Sequence, residues 1–155
     1  AIVIPQEFTW QGYEDRLSGW RDAHFEKNIT IRPALRCKPD KNKKFSSESE
    51  IGYEAVTKLI NKKIKFDSIF AMNDMLAMGC YQAAKEKKLE IPKNFSIIGF
   101  DNSVTAFNLR PTLSSIQLPI AEMTAKAIQH IFDDKNYDEN YKVYVECKLV
   151  ERNSI

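Results

Sequence analysis

Glycine is scarce, with five in 155 residues, and none falls in a G-x-G-x-x-G or a P-loop pattern. The backbone cradles that hold dinucleotides and nucleoside triphosphates are therefore missing. H-E-x-x-H and G-x-S-x-G are absent too, which removes the commonest zinc-hydrolase and serine-hydrolase signatures. The only two histidines, His24 and His130, are isolated on helical stretches, and no pair among Cys37, Cys80 and Cys147 has metal-ligand spacing. Neither a metal nor a cofactor is expected. Three cysteines, far apart and odd in number, fit buried free thiols in a reducing cytosol better than disulfides. No apolar run is long enough to span a bilayer, and no secretory leader is expected. It begins with Ala1-Ile-Val-Ile-Pro5, already strand-like, as expected of a fragment cut at a strand. A net charge of +2 speaks against a dedicated nucleic-acid surface on these residues. There is no internal repeat and no low-complexity segment.

What is present is a chain with the composition of an ordinary globular protein, long enough for one domain with its own core. The most informative stretch is Phe66–Gly79. A short uncharged apolar run, Ser68-Ile-Phe-Ala-Met72, predicts a buried strand. It breaks at Asn73-Asp74, and Leu76, Cys80, Ala83 and Ala84 then repeat at helical spacing. A second copy of this logic follows: Phe95-Ser-Ile-Ile-Gly-Phe100 is an apolar run ending in Asp101-Asn102. Each polar pair has two readings, a cap on the next helix or ligand contacts at the carboxyl end of a parallel strand, where open sheets bind small molecules. Asp74 is expected to be a cap, and Asn73 and Asp101 are the better ligand candidates.

Around these stretches the pattern alternates. Ala1–Pro5 predicts a strand, Gln11 to about Asn28 a helix with Tyr13, Leu17, Trp20 and His24 on one stripe, and Ile29–Cys37 a strand. Lys38–Phe45 is a basic loop, read as solvated or, less simply, as a phosphate contact. Ser46-Ser-Glu-Ser-Glu50 opens a helix with capping residues and early acids. Ser114–Leu118 predicts a strand, and Pro119 starts a helix whose face carries Ile120, Met123, Thr124, Ala127, Ile128 and Ile131. Asp133–Tyr141 is a polar break, and Lys142–Arg152 alternates enough for a closing strand. Strand and helix in alternation with short connections mean an α/β fold, a doubly wound parallel sheet in three α/β/α layers.

Several of these runs resemble the lactose/galactose repressor (LacI/GalR) family of bacterial transcription regulators. Ile69-Phe-Ala-Met-Asn-Asp-Met-Leu-Ala-Met-Gly79 is similar to that family's alanine–asparagine–aspartate turn. Lys87–Asn102 is similar to its next signature, which ends in Gly-aromatic-Asp. Arg110-Pro-Thr-Leu-Ser-Ser-Ile116 resembles its crossover, Arg16-Leu-Ser-Gly-Trp-Arg21 its first helix, and Leu149-Val-Glu-Arg152 its ending. The likeness runs through the whole chain in order.

The resemblance implies a periplasmic-binding-protein-like type I fold, with residues 1–155 as the C-terminal lobe of a two-lobed effector core. The crossover strand and helix of 114–135 would then belong to the N-terminal lobe, so the apolar stripe of that helix would lack its normal cover. The helix-turn-helix and hinge of such regulators would lie outside the chain. Carried over by position, the ligand side chains are Arg16, Asn73 and Asp101. Asp101 can accept hydroxyl protons, Arg16 offers a donor fork, and Asn73 can do both. Phe8 or Trp10 would lie against a sugar's apolar face, or else serve as a rim or core aromatic. Arg16 has a second reading as a surface partner of Glu14 or Asp15. Met78 and Leu109 fall where C-terminal lobes meet in the family's homodimer, although the residues alone read Met78 as core.

The implied function is effector binding and dimerisation in a cytoplasmic repressor, with operator DNA bound through the missing head and a sugar or sugar derivative as effector. The alternative on the same fold is a periplasmic sugar-binding protein of a transport system, which three odd cysteines disfavour. An enzyme is not expected: Asp74 and Asp101 would make an acid–base pair without a nucleophile or metal beside them.

Overall fold

Five short parallel strands and one antiparallel strand form a single sheet in the order β2-β1-β3-β4-β5-β6. The strands are β1 (Ile2–Val3), β2 (Arg36–Cys37), β3 (Ser68–Ala71), β4 (Ser96–Asp101), β5 (Ser114–Gln117) and β6 (Lys148–Val150). The helices between them are α1 (Gln11–Glu26), α2 (Glu48–Asn61), α3 (Asp74–Glu86), the short α4 (Val104–Asn108) and α5 (Ile120–Ile131). The computed structural model describes residues 1–6, 11–132 and 142–155. The polar break read at Asp133–Tyr141 lies outside the described residues.

The apolar runs become the buried centre. Ile2, Val3, Ile4, Ile69, Ala71, Met72 and Ile97 are all closed to solvent, as are Leu17 of α1, Val56 and Leu59 of α2 and Leu76, Ala77 and Cys80 of α3. Burial alternates along the central strands: Ile69, Ala71 and Ile97 face a closed side of the sheet, while Phe70, Ile98 and Phe100 on the other side are half-buried. The helices α2 and α3 pack against each other at unusually close range. A Cβ on Gly52 would stand 2.0 Å from the Leu76 carbonyl oxygen, and one on Gly79 would stand 1.8 Å from that of Ser49. Glycine at both positions lets the two backbones touch.

The caps follow the sequence signals. Ser47 caps α2 by accepting from the Glu50 amide, and Glu50 reaches back to accept from the amide and hydroxyl of Ser46. This reciprocal pairing satisfies orphan donors at the helix start. At α3 the cap is Asn73, whose Oδ1 accepts from Leu76 N at 2.8 Å. The expectation that Asp74 does this is corrected: Asp74 is the first helical residue, fully buried, and its carboxylate is turned toward β5.

Two strands are shorter than their runs suggest. Of Ile29–Cys37 only Arg36–Cys37 pairs, because Pro33, with no amide hydrogen and a fixed φ, opens a 3-10 turn over Pro33–Leu35. Of Lys142–Arg152 only Lys148–Val150 joins the sheet, antiparallel to β5. The cysteines divide as well: Cys80 is buried and Cys37 half-buried, but Cys147 is exposed, contrary to the expectation of three buried thiols. No helix among the described residues is long and apolar enough to cross a membrane.

The amphipathic stripe of α5 is present and uncovered. Ile120, Met123, Ile128 and Ile131 are 40–63% exposed, and no residue of α5 is buried. A helix whose apolar face packs on its own domain would bury that face; this one stands away from the sheet.

Candidate functional site

The carboxyl ends of β3 and β4 and the first turns of α1 and α2 converge on one polar cluster. Arg16 projects from α1. Its Nη1 donates to the Met72 carbonyl at 2.7 Å, at the end of β3. Its guanidinium carbon lies 3.6 Å from the centroid of the Phe100 ring and 5.1 Å from that of Tyr13. Nη2 stands 3.8 Å from Oδ1 of Asp101, at the end of β4. The Arg16 side chain is only 8% exposed and the Asp101 side chain 41%, so the pair presents its carboxylate to solvent and keeps its cation behind it. Burial lowers the Arg16 pKa, with Asp101 opposing. A guanidinium stays protonated through such a change, and ring stacking plus a carbonyl partner compensate its desolvation.

Asp101 is the most perturbed carboxylate here. Burial raises its pKa to about 6, with Arg16 pulling it down and the charges of Asp74 and Glu48 pushing it further up. Its backbone is unusual as well. Asp101 has φ 102° and Asn102 φ 50°, positions that cost a non-glycine residue about 1–3 kcal/mol each and persist only where the surroundings impose them. Here they do. Ser115 Oγ accepts from Asn102 N at 3.0 Å, Asp74 Oδ2 accepts from Ser103 N at 2.7 Å, and Arg152 Nη2 donates to Asn102 Oδ1 at 2.6 Å. Arg152 also donates to the Leu113 carbonyl at 2.6 Å and lies 4.2 Å over the Phe107 ring. The chain's last arginine thus clamps the turn that aims Asp101.

Asn73 joins the cluster from below. While Oδ1 caps α3, Nδ2 donates to Glu48 Oε2 at 2.8 Å and to the Tyr13 hydroxyl at 3.4 Å. The structure thus brings Arg16, Asn73 and Asp101 together, with Asn73 5% exposed and both ends of its amide engaged. Glu48 and Tyr13 are the members that the sequence did not mark. Glu48 reads as a first-turn acid suited to the helix dipole, and Tyr13 as one position of a helical stripe. Only the approach of α1 and α2 to Asn73 shows their second role.

Beside Asp101 a cavity of about 480 Å³ runs to Gln117, Leu118 and the start of α5. Its polar groups are a carboxylate, amides and Glu122, which suits a hydroxylated ligand. Phe8 and Trp10 lie outside the described residues. Met78 and Leu109 sit away from this cluster, both half-buried along one groove with Tyr81 and Leu89.

The whole chain, residues 1–155, matches the model for the periplasmic binding protein-like domain. The chain belongs to that family. Its relatives are LacI-type regulators. It is 32% identical over 140 residues to the HTH-type transcriptional regulator MalR of Clostridium butyricum, covering 90% of this chain and 40% of that protein. It is 30% identical over 155 residues to the HTH-type transcriptional repressor PurR of Proteus mirabilis, covering 99% of this chain and 44% of that protein. The chain therefore spans less than half the length of these curated relatives. Among solved structures, a LacI-family sugar-binding transcriptional regulator from Escherichia coli complexed with phosphate superposes with a TM-score of 0.85 at 27% identity, covering 100% of this chain and 54% of that one. The expected α/β periplasmic-binding-protein-like fold and the family resemblance are both borne out.

Proposed function

We propose that this chain is the effector-binding portion of a LacI-type bacterial transcriptional regulator, and that it holds a sugar or sugar derivative at Arg16, Asn73 and Asp101. The observation that carries this reading is the Arg16–Asp101 pair at the strand ends, a caged guanidinium behind a half-exposed carboxylate. Asp101 accepts hydroxyl protons and Arg16 keeps it oriented. Phe8 and Trp10, which follow β1, are assigned to the ligand's apolar face.

The helix α5 is assigned to a second lobe, whose partner surface would cover Ile120, Met123, Ile128 and Ile131; β5 pairs with β4 and β6 in the sheet of this one. Ligand bound between two lobes would set their relative orientation, and through it the affinity for operator DNA of a head outside this chain. Met78 and Leu109 are assigned to a homodimer contact between C-terminal lobes. The relatives named above support a regulator over a transport receptor, and with it a cytoplasmic location. Catalysis is not part of the reading. Asp74, 1% exposed, spends its carboxylate on Ser103 and Ser115, which leaves Asp101 without an acid–base partner.

Calorimetric titration with glucose, ribose, cellobiose and glucose 6-phosphate tests this. Hydrogen bonds to a charged group are worth about 1.5–3 kcal/mol, so Asp101→Asn should weaken the ligand that binds by roughly ten- to a hundred-fold while the fold persists. A carbohydrate that binds equally well to Asp101→Asn and Arg16→Met would refute the site.

A further inference from the structure

A second cavity, of about 270 Å³, lies at the β2 edge of the sheet, separated from β4 by β1 and β3. The loop after β2 forms one wall and α2 the other. Its charge is one-sided. Arg36, Lys38, Lys58 and Lys62 line it, against the single carboxylate of Glu54. That carboxylate is already engaged in ion pairs with Lys43 and Lys58.

A further feature distinguishes the cavity from a solvated basic patch. Phe45, Leu59 and Ile64 give it an apolar floor. A negatively charged group with acceptor oxygens would offset the excess of cations.

We propose that this cavity is a second ligand site, which takes a small organic anion, a carboxylate or phosphate monoester, with its charge at Arg36 and Lys62 and its apolar body against Phe45 and Leu59. The thiol of Cys37 at the cavity wall does not oppose this, because burial pushes its pKa up to about 11 and keeps it neutral. The site stands apart from Asp101 and does not depend on the sugar-effector reading.

Titration of the ¹⁵N-labelled chain with benzoate and with phenyl phosphate, followed by amide shifts, tests it, with benzyl alcohol as the uncharged counterpart. The expected result is saturable movement of the Arg36, Phe45 and Lys58 amides with at least one anion, the tighter of the two identifying the headgroup. Benzyl alcohol should bind at least ten-fold more weakly. Lys62→Gln, at an exposed helix end, and Arg36→Met should each raise Kd about ten-fold, whereas Asp101→Asn should leave it unchanged. If Arg36→Met misfolds, Lys62→Gln decides alone. The proposal is overturned if millimolar anion moves none of these amides, if benzyl alcohol binds as tightly, or if Asp101→Asn weakens binding as much as Lys62→Gln does.

Discussion

Ser115 Oγ donates to Asp74 Oδ1 at 2.6 Å, across 41 residues of chain. The other oxygen of Asp74 accepts from the amide and hydroxyl of Ser103. One buried carboxylate thus ties the start of α3 to β5 and to the turn that follows Asp101. The turn's strained backbone is held by this node together with Arg152.

Removing the node should cost stability. Asp74→Ala leaves one amide and two hydroxyls without their acceptor, and an unmet buried group costs about 1–3 kcal/mol. Urea unfolding should show a loss of at least that size. Asp74→Asn, which keeps one acceptor oxygen, should lose less. Equal stability of Asp74→Ala and the parent chain would show that the Asp101 turn is held by other means.

The pH dependence follows from Asp101. Its folded pKa of about 6 lies above its ordinary 3.8, so the folded chain keeps a proton that the unfolded chain has lost. Stability from this group is present below that ordinary value and is lost as pH rises through about 6. Ligand binding runs the other way, since the ionised carboxylate is the acceptor. Affinity for a hydroxylated ligand should fall about ten-fold from neutral pH to one unit below that pKa. Asp101→Asn should flatten the profile, and a slope that survives it would assign the titration elsewhere.

Gly52 and Gly79 predict a steric result. Either one changed to alanine drives a methyl group into a backbone carbonyl of the facing helix, and a carbonyl cannot rotate aside as a side chain does. Overpacking costs about 1–3 kcal/mol, occasionally more. Both variants should unfold at clearly lower urea, whereas Gly19→Ala, with nothing within 4 Å of the added carbon, should be neutral or stabilising.

The α5 stripe predicts a contrast between apolar positions. Ile128 is 50% exposed and Leu17 is 1% exposed. Leu17→Ala should cost about 2–5 kcal/mol, while Ile128→Lys should change the stability of the chain by no more than about 0.5 kcal/mol. Self-association, measured by sedimentation at rising concentration, should fall in Ile128→Lys. A large stability loss there would mean that α5 packs on its own domain.

Arg152 predicts a local effect. Arg152→Met would free the Asn102 side chain and the Leu113 carbonyl together, loosening the Asp101 turn. Hydrogen exchange at Asn102 and Ser103 should rise while that of the α2–α3 pair stays unchanged. Uniform exchange across the domain would make Arg152 a general stabiliser instead.

The architecture follows from local patterning along the chain. Uncharged runs bounded by polar turns dictate the central strands, and apolar residues at helical spacing dictate helices that cover them. Both patterns are local and survive in one dimension. The ends of β3 and β4 were legible for the same reason, because Asn73 and Asp101 stand where an apolar run stops. Arg16 was legible only through resemblance, since nothing in Glu14-Asp15-Arg16 says which partner the guanidinium takes. Tertiary structure decided that, and it decided which of Asn73 and Asp74 caps α3. An amide one residue before the helix accepts from its third residue, while the neighbouring side chain points to the other side and meets whatever the fold brings there. For Asp74 that is Ser103 and Ser115, from segments that only the sheet order makes adjacent. Glu48, Tyr13 and Arg152 gained their places in the same way. Hydrogen bonds between distant segments leave no periodicity behind, so they become visible only when the chain is folded.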